Sequence, residues 1–132
     1  MADKANTSFN WFPIFTAGKH TDSKGQEANF SKTDLAQVVA NFAPKKAPLV
    51  IGHPKMDDPA WGWASELKIE GDTLFAKAEE VSADFAQAVQ DKRYPDRSVR
   101  LVKTEKGFEL GHIGFLGGKP PAVDGLKWQF SA

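Results

Sequence analysis

The stretch Arg97–Leu116, RSVRLVKTEKGFELGHIGFL, decides the fold. Two runs, Arg97–Thr104 and Phe108–Leu116, read as strands, joined by Glu105-Lys106-Gly107. A three-residue hairpin loop commonly closes on a glycine in the left-handed region, as Gly107 would here. That loop sets Thr104 opposite Phe108 and Lys103 opposite Glu109, a favourable cross-strand charge pair. Continued along the strands, it sets Arg100 opposite His112, Val99 opposite Ile113 and Ser98 opposite Gly114. Ser98 and His112 then share a face as diagonal neighbours, about 7–8 Å apart, with room for a third side chain between them. Gly114 leaves open space beside the serine for a substrate. A slip of one residue would undo the arrangement.

Outward from this hairpin, FNWFPIF (Phe9–Phe15) reads as a first strand, with Pro13 placing it near a sheet edge. Residues before it, 1–8, read as a flexible tail. Thr16–Asn29 is polar and reads as a loop holding His20. Ser31–Phe42 reads as a helix: Ser31 and Asp34 resemble a capping box, Leu35, Val38, Val39 and Phe42 form one apolar stripe, and Pro44 stops it. Pro48–Gly52 is a short apolar strand ended by His53-Pro54, and Asp57-Asp58-Pro59 is a turn. Trp61–Ile69 and Thr73–Ala78 form a second hairpin around Glu70-Gly71-Asp72, with the two tryptophans read as core packing. Ser82 caps a second helix that carries Phe85 and Val89. The fold class is mainly β with two or more helices (α+β), as a small barrel or curved sheet, in one domain spanning 1–132.

Seventeen basic residues balance seventeen acidic ones among 132, so there is no electrostatic footprint for nucleic acid and no basic amphipathic stretch for a membrane surface. No apolar run approaches a membrane span, and the first ten residues lack the apolar core of a signal peptide. The absence of cysteine excludes disulfides, thiolate metal sites and a cysteine nucleophile.

A serine becomes nucleophilic only with a base in hydrogen-bond reach, and histidine is the usual base near neutrality. Of the three histidines, His53 has the firmest position, at a strand end held extended by Pro54. Plainer readings stand beside this one. Ser98 between two arginines reads as a solvated residue. His112, on a face with Phe108, Leu110 and Leu116, reads as a core histidine. Asp57 and Asp58 read as turn residues, and Gly117-Gly118 as a turn. His53, His112 and an aspartate also form a possible zinc set, but no HExxH spacing is present.

Together, APLVIGHP, AWGWASELKIEGDTLFAKAE, RYPDRSVRL and LGHIGFLGGKPPAVDGLK resemble the protease part of the Mu-like phage I protein family, over about residues 9 to 127. They are also similar to prohead proteases and, through these, to herpesvirus assemblins. The resemblance implies an assemblin-like barrel and a serine endopeptidase that cleaves scaffold protein, and itself, during capsid maturation. Ser98 falls on the nucleophile and His53 on the general base. The third member falls near His112, with Asp57 or Asp58 as the alternative. Gly117 and Gly118 fall on the backbone donors for the oxyanion. No cofactor or metal is implied. The implied partners are the phage scaffold protein and major capsid protein, in the host cytoplasm inside the immature capsid, with a homo-oligomer left open. Family members carry a scaffold-like extension beyond the protease; a chain ending at Ala132 is expected to have been cut there or trimmed by itself. The other reading is a non-catalytic scaffold- or capsid-binding domain of the same fold.

Overall fold

The computed structural model describes residues 6–21, 25–52, 58–117 and 129–131. Within them run β1 (Thr7–Thr16), β2 (Gly18–Thr21), β3 (Glu27–Phe30), α1 (Lys32–Ala40), β4 (Pro48–Ile51), β5 (Gly62–Glu70), β6 (Thr73–Val81), α2 (Ala83–Gln90), β7 (Asp96–Thr104), β8 (Gly107–Leu116) and β9 (Gln129–Ser131). Among the described residues the protein is mainly β with two helices, as the α+β reading expects. Seven strands form one sheet in the order β1-β6-β5-β4-β8-β7-β9, and β2 pairs with β3 in a second sheet. Among the described residues no ladder joins β1 to β9, so the large sheet is open rather than a closed barrel. It nevertheless curls: Arg97 on β7 donates from Nε to the Pro13 carbonyl on β1, 2.8 Å away. Pro13 does lie on an edge strand, where its missing N–H costs no ladder bond.

Two sequence expectations are corrected here. Thr16–Asn29 is no loop; it contributes the β2–β3 hairpin, and His20 is a buried member of it. The imidazole stacks on Phe15 at 4.3 Å and its Nε2 hydrogen-bonds the Thr16 carbonyl, so a polar-looking segment seals one end of the core. Thr7 and Ser8 belong to β1, with Thr7 paired to Val81, rather than to a tail; residues 1–5 lie outside the described residues.

Helix α1 begins as read. Ser31 Oγ accepts from Asp34 N at 3.0 Å and Asp34 Oδ2 accepts from Ser31 N at 2.9 Å, a reciprocal cap. Ser82 precedes α2 without a side-chain capping bond. Leu35 and Val38 of α1, Phe85 of α2 and the inward residues of the strands bury a common cluster that includes Ile14, Phe15, Leu49, Leu74, Val99, Leu101, Ile113 and Phe115. Each such large side chain contributes about 1.5–3 kcal/mol on burial. Phe115 is its junction, with ring centroids of Phe85, Phe12 and Phe9 at 5.0, 6.0 and 6.3 Å.

The β7–β8 register differs from the reading at one end and agrees at the other. Thr104 pairs with Gly107, Lys103 with Phe108 and Val102 with Glu109. The expected Lys103–Glu109 pair is absent: Lys103 Nζ sits over the Phe108 ring at 4.7 Å, and Glu109 meets Lys46 at 3.5 Å. Past an irregularity at Gly111, Arg100 pairs with His112, Val99 with Ile113 and Ser98 with Gly114. The extra residue therefore enters at Gly111 and not in the loop. Helix α1 fixes the tip that makes this so. Phe108 N donates to Gln37 Oε1 at 3.1 Å, and Asn41 Nδ2 donates to the Lys106 and Phe108 carbonyls at 2.9 and 3.1 Å. Gly107 takes φ 102°, and a Cβ there would meet Gln37 Oε1 at 2.4 Å.

Gly107→Ala is expected to destabilise the protein by roughly 1–3 kcal/mol, from backbone strain plus displacement of Gln37. Gln37→Ala should cost about 1 kcal/mol for the lost bond to Phe108 N. Urea denaturation of the two variants and their combination checks the coupling: the double variant should lose less than the singles together, since Gln37 can be displaced only once.

Candidate active site

The bulge at Gly111 decides what faces the candidate site. Before it, Leu110 is 6% exposed and pairs with core residue Leu101; after it, His112 pairs with exposed Arg100. An extra residue in one strand transfers the following side chains to the other face. His112 thus lies on the face opposite Leu110, and the core-histidine reading is corrected: it is half-buried on the sheet face away from the main core.

Ser98 lies on that same face, because Val99 and Leu101 of β7 point into the core. Yet Ser98 is only 2% exposed, which corrects the expectation of a solvated strand serine. Val50, paired with Gly114 through the parallel β4–β8 ladder, is also buried there without joining the core cluster. This face is therefore covered over Ser98, Gly114 and Val50.

The space over Gly114 is not open to a substrate. A Cβ on Gly114 would meet the Gly52 carbonyl oxygen at 2.9 Å and Ser98 Cβ at 3.8 Å. Gly52 takes φ 68° and donates from its N–H to the Phe115 carbonyl at 2.9 Å. One glycine thus turns the chain in a conformation that other residues resist, and a second lets that turn press against the rung that holds Ser98. Gly52 immediately precedes His53. The ladder consequently delivers the chain, one residue short of the proposed base, to the serine's own face. Sequence reasoning missed this use of Gly52 and Gly114. The available signal was the pair itself: a glycine ending an apolar strand, and a glycine opposite the serine.

His53, Asp57 and Gly118 lie outside the described residues. Asp58 is exposed. Gly117 follows β8 and lies against the α2–β7 connection, its Cβ position 3.5 Å from the Arg93 carbonyl and 3.8 Å from the Tyr94 ring. Leu116, just before it, pairs with Asp96, two rungs from Ser98. Strand β9 runs parallel to β7 on its other side, with Gln129 paired to Ser98, so both edges of the serine's strand are occupied. Among the described residues no group of three His, Asp or Glu side chains is placed to hold a metal, and no helix is long and apolar enough to cross a membrane. Comparison of the chain with protein-family models, with curated proteins and with solved structures gives no match.

Gly114→Ala should force the Gly52 turn away from β8, because its obstacle is backbone and cannot rotate aside. Gly111→Ala should be far milder, since its Cβ meets the flexible Arg100 side chain at 3.2 Å. Amide exchange at Gly52 and Phe115 is the readout: accelerated in Gly114→Ala and near wild type in Gly111→Ala.

Proposed function

We propose that this domain is a serine endopeptidase of the capsid-maturation type, similar to the Mu-like phage I protein protease and the assemblins. The observation that carries the reading is the contact of Gly52 with Gly114, which directs the residue preceding His53 toward the rung of Ser98. His112 on the same face, one diagonal from the serine, supports it. The assemblin-like barrel belongs to the same proposal, supported by the curl that, across six strands, brings Arg97 of β7 to β1.

In this mechanism His53 takes the Ser98 Oγ proton as Oγ attacks the scissile carbonyl. Backbone N–H groups at Gly117 and Gly118 stabilise the tetrahedral oxyanion. The intermediate collapses as His53 passes its proton to the leaving amine, and water, activated by the same imidazole, releases the acyl group. His112 orients the base, with Asp57 or Asp58 as the alternative for that role. No cofactor or metal takes part. The substrate is scaffold protein, and the chain itself, inside the immature capsid beside the major capsid protein. Because Ser98 is 2% exposed, substrate binding must uncover it. The isolated domain is therefore a slow enzyme.

A fluorophosphonate probe tests the proposal. Ser98 should be labelled slowly, labelling should vanish in Ser98→Ala, and His53→Ala should slow it by roughly 10²–10⁴-fold. His112→Ala should have a smaller effect, and labelling should survive a metal chelator. Folded wild-type protein that stays unlabelled, both alone and with assembling scaffold and capsid protein, would instead support the non-catalytic scaffold- or capsid-binding module.

A further inference from the structure

At the seam where the curled sheet brings β7 toward β1, on the face opposite Ser98, lies a cavity of about 170 Å3. Its walls are the rings of Phe9, Phe12 and Phe115 with Val89 of α2; exposed Asn10 marks its mouth. Arg97 is the cation in this apolar lining. Its Nε is committed to the Pro13 carbonyl at 2.8 Å, and its guanidinium carbon lies 5.5 Å from the Phe12 centroid and 5.9 Å from that of Phe115. Among the described residues no carboxylate forms an ion pair with it. Burial pushes the guanidinium below its ordinary range, with neighbouring Asp96 pulling the other way. An arginine nevertheless remains charged.

We infer that this cavity is a binding site for a carboxylate carrying one aromatic ring or branched alkyl group. An enclosed void of about 150 Å3 takes a benzene-sized group, so a pocket of this volume accommodates one ring. A guanidinium fixed through Nε still presents its terminal N–H groups as a planar fork, the geometry that binds a carboxylate with two parallel hydrogen bonds. One desolvated positive charge is balanced by one negative charge, which favours a carboxylate over a phosphate dianion. The ring would pack among Phe9, Phe12 and Phe115, where edge-on and tilted ring contacts already form. A free aryl acid and the terminal residue of a polypeptide share this chemistry.

Titration of the wild-type domain with benzoate, benzamide and N-acetylphenylalanine, followed by NMR, tests the site. Benzoate is expected to shift the Phe12, Val89 and Phe115 resonances saturably in the millimolar range, with benzamide at least about tenfold weaker. Stronger binding of N-acetylphenylalanine would assign the site to chain ends, and binding of benzoate alone to free acids; either supports it. Val89→Trp, which fills the cavity and keeps Arg97, should abolish the shifts. Absence of saturation by both acids up to tens of millimolar, or equal affinity for benzoate and benzamide, would overturn the inference. The readout does not involve Ser98, so it stands or falls apart from the protease reading.

Discussion

The parallel ladder between Leu49–Ile51 and Ile113–Phe115 is the constraint on which the rest of this structure depends. Its core side is held by Leu49 and Ile113, both fully buried, and its end by the Gly52 N–H bonded to the Phe115 carbonyl. Parallel strands need a long connection, and here it comprises β5, β6, α2 and β7. Once made, the pairing fixes where the chain leaves β4. The Gly52 turn then has one place to go, against the bare backbone of Gly114 and beside Ser98.

β8 therefore serves two faces. Inward, Phe115 gathers Phe9, Phe12 and Phe85 and lies beside the Arg97 strap that draws β1 toward β7. Outward, Gly114 and His112 face the serine's side. A disturbance of the aromatic cluster would reach the site through the shared strand, since a packed core transmits strain rather than absorbing it. Arg97 and Ser98 are adjacent on β7 and point to opposite faces, which ties the apolar seam and the candidate nucleophile to one strand.

Much of the secondary structure was legible from local rules. The Ser31–Asp34 cap, the helix stripe through Leu35 and Val38, the edge position of Pro13 and the strand alternation each express a short-range preference that packing did not override. Thr16–Asn29 misled because its polar residues hid one half-buried hairpin, in which His20 gains a ring to stack on and a carbonyl to bond. The β7–β8 register near Ser98 was reached through two offsetting differences: one residue fewer in the turn and one more at Gly111. A glycine is as compatible with a loop end as with a bulge, so sequence could not choose between Gly107 and Gly111. Gln37 and Asn41, distant along the chain, made the choice by clamping the tip.

Residue types alone set which groups could carry chemistry: one strand serine opposite a glycine, three histidines, no thiol and no net charge. Side-chain period placed most strands and both described helices, and the Ser31–Asp34 cap placed the start of α1. It took the folded chain to bury Ser98, to turn His112 away from the core and to close the space over Gly114 with Gly52. Those outcomes depend on which strands pair and in which register, including contacts as distant as Gly52 with Gly114 and Gln37 with Phe108, and these are set by the packing of the whole chain rather than by local propensity.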